Sequence, residues 1–199
     1  VGVDDNDYEA LHRWSVEHKT KFWPAIWDFC GIVGERGERV LNDAGAMLEQ
    51  RWFPDSRLNY ARNLLTAKGV TPTVMFYGED QIQRRLDFSE IRDAVSQCQQ
   101  ALKHIGVQRG DRVAAMLPNG TEALIAMLAT VSLGAVWSSA SPDFGADGLL
   151  DRFGQIEPTV FFCADGYFYN GKWIDCSDKN QRVSGALQTL KKTVEVTYS

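Results

Sequence analysis

From Arg109 to Cys163 short apolar runs alternate with helically spaced apolar stripes. Val113 to Leu117 is an apolar run entered through Gly110 and Asp111 and ended by Pro118, the pattern of a strand buried on both faces. Asn119 stands where it can cap a helix, and Glu122, three residues on, can reach back to orphan amides and complement the helix dipole. Leu124, Met127, Leu128 and Val131 then recur at steps of three and four up to Gly134. Ala135, Val136 and Trp137 read as a second strand, and Ser138 to Asp143 as the turn out of it. Ser141 or Asp143 can cap the next helix, striped by Leu149, Leu150, Phe153 and Ile156 and ended by Pro158, and Thr159 to Cys163 is the third strand. Strands alternating with helices of this length predict right-handed crossovers and a mostly parallel sheet. Ligands of such sheets sit beyond the carboxyl ends of the strands, so the loops at Pro118–Thr121, at Ser138–Asp143 and from Ala164 onward are the ones to watch.

The first sixty residues carry no strand pattern. Tyr8, Leu11, Trp14 and Ser15 predict one or two amphipathic turns, and Phe22, Trp23, Ile26, Trp27, Phe29 and Cys30 a second helical stretch, with Pro24 in its first turn. Gly31, Gly34 and Gly37 lie among Glu35, Arg36 and Glu38; a phosphate cradle gains from amides and positive potential, so the carboxylates make this a loop. Asp55, Ser56 and Arg57 form a polar turn before a helix carrying Leu58, Ala61, Leu64 and Leu65. Thr73–Tyr77 and Ile82–Phe88 read as a hairpin, followed by a helix capped by Ser89, buried through Ile91, Val95, Cys98, Leu102 and Ile105, and closed by Gly106.

Beyond Cys163, Gly166–Tyr169 and Lys172–Asp175 flank Asn170 and Gly171, whose readiness for positive φ predicts a type I′ hairpin turn. Lys179–Leu190 follows as a helix and Thr193–Tyr198 as a strand. The whole is α/β, with residues 1–66 a helical segment and residues 67–199 a layered sheet domain.

Composition narrows the function classes. A net charge of -5 argues against a nucleic-acid surface, and six tryptophans at helical spacing without interleaved Lys or Arg read as packing and not as base-stacking platforms. No apolar run approaches the roughly 20 residues a membrane helix needs. Cys30, Cys98, Cys163 and Cys176 form no CxxC pair, and with no signal peptide in view they read as thiols of a reducing cytoplasm, Cys98 and Cys163 on apolar faces. His12 and His18 lack metal-pair spacing, and His104 reads as a dipole-complementing residue near a helix C-terminus. No GxGxxG, GxxxxGK[ST] or GxSxG motif occurs, so pattern alone gives a fold class and no activity.

A resemblance adds the chemistry. GAVWSSASPDFGADGLLDRFGQIEPTVFF, Gly134 to Phe162, resembles the acetoacetyl-CoA synthetase branch of the AMP-forming acyl-CoA ligases, the adenylate-forming enzymes. WFPDSRLNYARNLL, Trp52 to Leu65, is similar to the entry segment of the acetyl-CoA synthetase branch, and LDFSEI, Leu86 to Ile91, to the first short motif shared by adenylate-forming enzymes. The resemblance implies the N-terminal portion of the adenylate-forming fold and an acid–thiol ligation using ATP, Mg²⁺ and CoA: acetoacetate attacks the α-phosphate of ATP, releasing pyrophosphate, and CoA then displaces AMP. It also implies that the phosphate-binding loop, the acidic residue for Mg²⁺ and the mobile lid lie beyond Ser199, that this stretch alone is inactive, and that the rest of the polypeptide covers its exposed apolar surface.

For this stretch the resemblance implies part of a CoA site. The turn at Ser141, Pro142 and Asp143 lies against the CoA adenine, and Tyr169 and Lys172 fall where a basic segment meets its phosphates. Where acetyl-CoA synthetases carry a glycine pair this chain has Pro142 and Asp143, and where they carry an arginine it has Tyr169; Lys172 supplies a point charge and not a bidentate fork. From the residues alone, Asp143 caps a helix, Lys172 flanks a hairpin turn and Arg152 is an ion-pair or surface residue. Other readings are another short-chain acyl-CoA ligase of the acetyl or propionyl type, or a non-catalytic binding or assembly module.

Overall fold

A computed structural model describes residues 7–43, 45–66 and 73–198, which fall into two compact units divided between Asn59 and Tyr60. The first opens with α1 (Tyr8–Glu17), capped by the Asp7 carboxylate, which accepts from the Ala10 N–H at 2.9 Å. After His18, α2 (Lys19–Phe29) follows at once. Pro24 therefore sits inside α2 and not in its first turn, because the helix starts earlier than its aromatic stripe suggests. Rings hold this unit together: Trp14 meets Phe22 edge-on at 5.7 Å, Trp23 meets Trp52 at 6.0 Å and Trp27 meets Phe53 at 5.4 Å.

Two ladders of two residues each replace the expected absence of strands: β1 (Gly34–Glu35) pairs with β4 (Arg57–Leu58), and β2 (Leu41–Asn42) with β3 (Arg51–Trp52), all antiparallel. Leu58 thus belongs to a strand and not to the next helix. A Cβ on Gly34 would lie 2.7 Å from that of Leu58, and one on Gly37, at φ +75°, 2.6 Å from that of Asp55. These glycines serve close backbone approach, secured by the Arg39 guanidinium donating to both Asp55 oxygens at 2.8 and 2.5 Å. Among its described residues none is fully buried, and Phe29 and Leu48 stand 88% and 95% exposed.

The second unit begins with α3 (Tyr60–Leu65), which buries Ala61 completely. The hairpin of β5 (Val74–Gly78) and β6 (Ile82–Leu86) follows. It ends before Phe88, because Asp87-Phe88-Ser89-Glu90 is a capping box: the Glu90 N–H donates to Asp87 at 2.9 Å and the Asp87 N–H to Glu90 at 2.8 Å. Asp87, and not Ser89, is therefore the cap of α4 (Phe88–Ile105), which Gly106 closes at φ +88°. His104 lies in its last turn, as the sequence predicts.

The core is a parallel sheet of four strands. In chain order come β7 (Arg112–Met116), α5 (Thr121–Ser132), β8 (Val136–Ala140), α6 (Ala146–Ile156), β9 (Val160–Ala164), the hairpin of β10 (Gly166–Tyr169) and β11 (Lys172–Asp175), α7 (Ser177–Ala186) and β12 (Lys192–Val196). The sheet order is β12-β9-β7-β8, with every neighbouring pair parallel. Side chains alternate between its faces: Val113, Ala115, Val160 and Phe162 pack with α4 and α5, whereas Ala114, Met116, Phe161 and Cys163 pack with Leu149, Phe153 and Val183 of α6 and α7. No helix among the described residues is long and apolar enough to cross a membrane.

Boundaries in the sheet domain also differ from the sequence reading. Strand β8 runs through Ser138 to Ala140, α7 ends at Ala186 and not at Leu190, and α5 is capped by the Gly120 backbone and not by the Asn119 side chain. Cys163 and Cys176 are buried, Cys98 is half-buried and Cys30 is exposed.

Phe153 is 1% exposed and its ring lies 5.8 Å from that of Phe161. Phe153→Ala is expected to cost about 3–5 kcal/mol, read as a lowered urea midpoint at unchanged slope. Burial, followed by Glu195 and Cys176, pushes the Cys163 thiol up to about 12. The folded form thus holds its proton above the value of the unfolded thiol. This contribution to stability is complete below about pH 8.5 and is lost as pH rises from there through the folded value. A thiol reagent at pH 8 is expected to label Cys30 in the native protein and Cys163 only after denaturation, checked by peptide mapping.

Candidate functional site at the carboxyl ends of the sheet

Chain direction locates the crevice. From β7 the chain crosses to β8 through α5 on one face; from β8 it returns past β7 to β9 through α6 on the other, and continues outward to β12. The order therefore reverses between β7 and β9, and the space beyond their carboxyl ends, Leu117–Pro118 and Ala164–Asp165, is where this architecture places ligands.

Much of that space is occupied by the protein itself. A pocket bounded by Leu117, Pro118 and Ala164, with Phe76, Arg84 and Tyr198, retains about 10 Å³ of free volume, enough for one water molecule. The Glu122 carboxylate lies against the α5 N-cap Gly120, with one oxygen 3.3 Å from where a Cβ there would sit, and it accepts from the Arg84 guanidinium of β6 in a half-buried ion pair. Tyr198 packs edge-on against Phe76 at 6.1 Å, and its backbone N–H donates to Asp165 at 2.9 Å. Burial pushes the Tyr198 phenol up, with a further push from Glu79.

The loop after β8 is open on one side and pinned on the other. Ser141 and Asp143 are exposed while Pro142 between them is buried. Neither Ser141 nor Asp143 caps α6, whose cap is Gly145 without a side-chain bond. Instead the Phe144 N–H closes a turn onto the Ser141 carbonyl at 3.2 Å. The Lys179 ammonium of α7 donates to the Pro142 carbonyl and, at 3.2 Å, to that of Phe144. Arg152 stands 4.4 Å over the Phe144 ring and donates to the Gly148 carbonyl at 3.0 Å, so it braces the loop by stacking rather than by an ion pair.

The hairpin bears the other candidates. Asn170 and Gly171 take φ of +51° and +72°, the I′ turn their sequence predicts. Tyr169 and Lys172 are direct cross-strand partners next to this turn, so their side chains share one hairpin face, and both are exposed. Tyr167, two residues back on the same face, packs into the cluster under α6 and α7. Burial pushes its phenol up, with further pushes from Cys176, Asp143 and Tyr169.

Sequence reasoning passed over Lys179 and Asn180. Asn180, 4% exposed, donates to the Ala164 carbonyl at 2.8 Å and so ties α7 to the end of β9. Neither residue has a local signature, because each acts on a loop or strand distant in sequence. Among the described residues no group of three His, Cys, Asp or Glu side chains is arranged to hold a metal ion. His12 and His18 instead stack on Tyr8 and Trp14 at 6.2 and 6.5 Å.

Comparison with known proteins gives these features a lineage. The chain is 50% identical to the acetoacetyl-coenzyme A synthetase of Rhizobium meliloti (strain 1021) over 193 residues, 97% of this chain and 29% of that protein. It is 42% identical to the acetoacetyl-CoA synthetase of Macaca fascicularis over 202 residues, 99% of this chain and 30% of that protein. The solved acetoacetyl-CoA synthetase from Streptomyces lividans matches with a TM-score of 0.89 at 37% identity, covering 97% of this chain and 30% of that one. The chain thus spans about 30% of the length of these relatives and shares the fold of the N-terminal part of that solved structure. The family model described as acetyl-coenzyme A synthetase N-terminus matches residues 8–64, and the one described as AMP-binding enzyme matches residues 66–198. With two thirds of its 199 residues under that second model, the chain belongs to the AMP-binding enzyme family.

Proposed function

We propose that the protein carrying this chain is an AMP-forming acid–CoA ligase that activates acetoacetate. The carboxylate attacks the α-phosphate of ATP to give acetoacetyl-AMP and pyrophosphate, and the CoA thiol displaces AMP to give acetoacetyl-CoA. In this reading residues 1–66 are the helical segment of the acetyl-CoA synthetase type, and residues 67–199 open the AMP-binding domain. The observation that supports it is 50% identity to an acetoacetyl-coenzyme A synthetase across 97% of the chain. The ATP phosphates and Mg²⁺ are held elsewhere in the protein.

The role we infer for this chain is one wall of the CoA site. Ser141, Pro142 and Asp143 present a turn to the adenine, and Tyr169 and Lys172 present one ring and one ammonium to the phosphates. Lys179 is the residue that keeps the turn in shape, because it satisfies two carbonyls of a loop that has no regular ladder. The exposed Phe29 and Leu48 suit cover by the rest of the polypeptide. A second reading keeps the chemistry and changes the acid: a relative from Penicillium aethiopicum named malonamoyl-CoA synthetase is 37% identical over 201 residues.

Pyrophosphate exchange into ATP by the full-length protein decides between acids. Acetoacetate is expected to support exchange well above acetate, propionate and malonamate; exchange that follows one of those acids and ignores acetoacetate would sink the assignment. For the CoA wall, Lys172→Ala is expected to raise the KM for CoA about three- to tenfold, while exchange, which needs no CoA, follows the wild type. Lys179→Met strips both carbonyls of their donor and is expected to raise the same KM and to speed hydrogen exchange across residues 141–145.

A further inference from the structure

Two hairpin tips separated by 91 residues of sequence meet through one carboxylate. Glu79 lies in the three-residue loop between β5 and β6, with its backbone at φ +52°. That left-handed conformation is uncommon for a residue with a long side chain. From there one oxygen accepts the Asn170 N–H at 2.6 Å and the other the Gly171 N–H at 2.7 Å.

These two amides are the ones the β10–β11 hairpin cannot use. Its ladder closes at the Tyr169–Lys172 pair, and the N–H groups of the two central turn residues point away from it. Successive N–H groups converging from such a turn make a small concavity that takes anions. A carboxylate with one oxygen on each amide is a charge-assisted match to it, and among the described residues no cation forms an ion pair with it. An aromatic seam joins the same hairpins beside the clamp. The Tyr198 ring lies 6.1 Å from Phe76 of β5, 6.4 Å from Phe168 of β10 and 6.3 Å from Trp173 of β11.

We propose that the Asn170–Gly171 amide pair is an anion site that the chain fills with its own Glu79, making Glu79 the positioning residue for the tip that presents Tyr169 and Lys172. An oxyanion of the phosphate class is the external ligand this pair would accept in place of the carboxylate. The consequence for CoA rests on the reading that Lys172 meets its phosphates: Glu79 holds the ammonium in place and also sets a negative charge beside it.

The test uses the full-length protein and two variants. Glu79→Gln keeps the shape but replaces one accepting oxygen by an NH₂ that cannot accept, and Glu79→Gly removes the carboxylate together with the unfavourable φ. Hydrogen exchange is followed in the peptide spanning residues 166–175, with the peptide over β7 as the internal reference. In both variants the turn amides are expected to exchange about tenfold faster than in the wild type, with β7 unchanged. Millimolar inorganic phosphate is expected to restore protection in Glu79→Gly and to leave the wild type as it was.

Equal exchange in the wild type and both variants overturns the clamp, and phosphate without effect on Glu79→Gly overturns the anion site. The KM for CoA separates this inference from the CoA reading. If exchange responds to Glu79 but Lys172→Ala leaves that KM unchanged, the clamp stands and the CoA assignment falls.

Discussion

Burial of β7 and β9 on both faces is the constraint from which the rest of the second unit follows. Every residue of β9, and every residue of β7 after Arg112, is withdrawn from solvent, so helices must cover the sheet on both sides. Right-handed crossovers then leave no choice of face: the step from β7 out to β8 puts α5 on one side, and the steps back to β9 and on to β12 put α6 and α7 on the other. The reversal this creates lies between β7 and β9. The position of the crevice is thus a result of sidedness and handedness, and no single side chain in it is required to explain where it is.

The parts of this arrangement with a local signature were legible in the residues. Two-sided burial shows as the unbroken runs at 113–117 and 159–163, and the I′ turn shows in Asn170-Gly171. Where polar composition and structure part company, an edge position is the cause. Ser138 and Ser139 read as a turn, yet they continue β8, because this edge strand has a sheet neighbour on one side only and tolerates hydroxyls. The cap at Asp87 was legible as Asp-x-x-Glu and was obscured by Ser89, which donates to the same carboxylate at 2.7 Å. The ladders of the first unit had no signature at all, since two-residue strands carry no period.

The candidate site was less legible than the fold for a related reason. Its presenting residues, Ser141, Pro142, Asp143, Tyr169 and Lys172, lie on loops that topology picks out, and the resemblance to CoA ligases names them. The residues that hold those loops do not. Lys179 reaches back 37 residues to Pro142 and 35 to Phe144, and Glu79 reaches 91 ahead to Asn170. Lys and Glu at these positions read as ordinary surface charge until the fold closes the distance.

Charge placement around the crevice gives these tethers further meaning. Several of its cations are engaged inside the protein: Arg84 on Glu122, Lys179 on two loop carbonyls and Arg182 on Asp147. A chain of net charge -5 that uses its basic groups in this way offers an incoming phosphate little general attraction. In the proposed CoA reading attraction is local, from the exposed Lys172 ammonium and from backbone amides near it. The amides beside Lys172 are those under the Glu79 carboxylate, so in the proposed reading the contact at the tip also sets how much positive potential the tip shows. An arginine fork in place of Tyr169 would make that potential large and fixed; on the proposed reading a lone lysine beside a carboxylate-filled amide pair keeps it small until an anion competes for the amides.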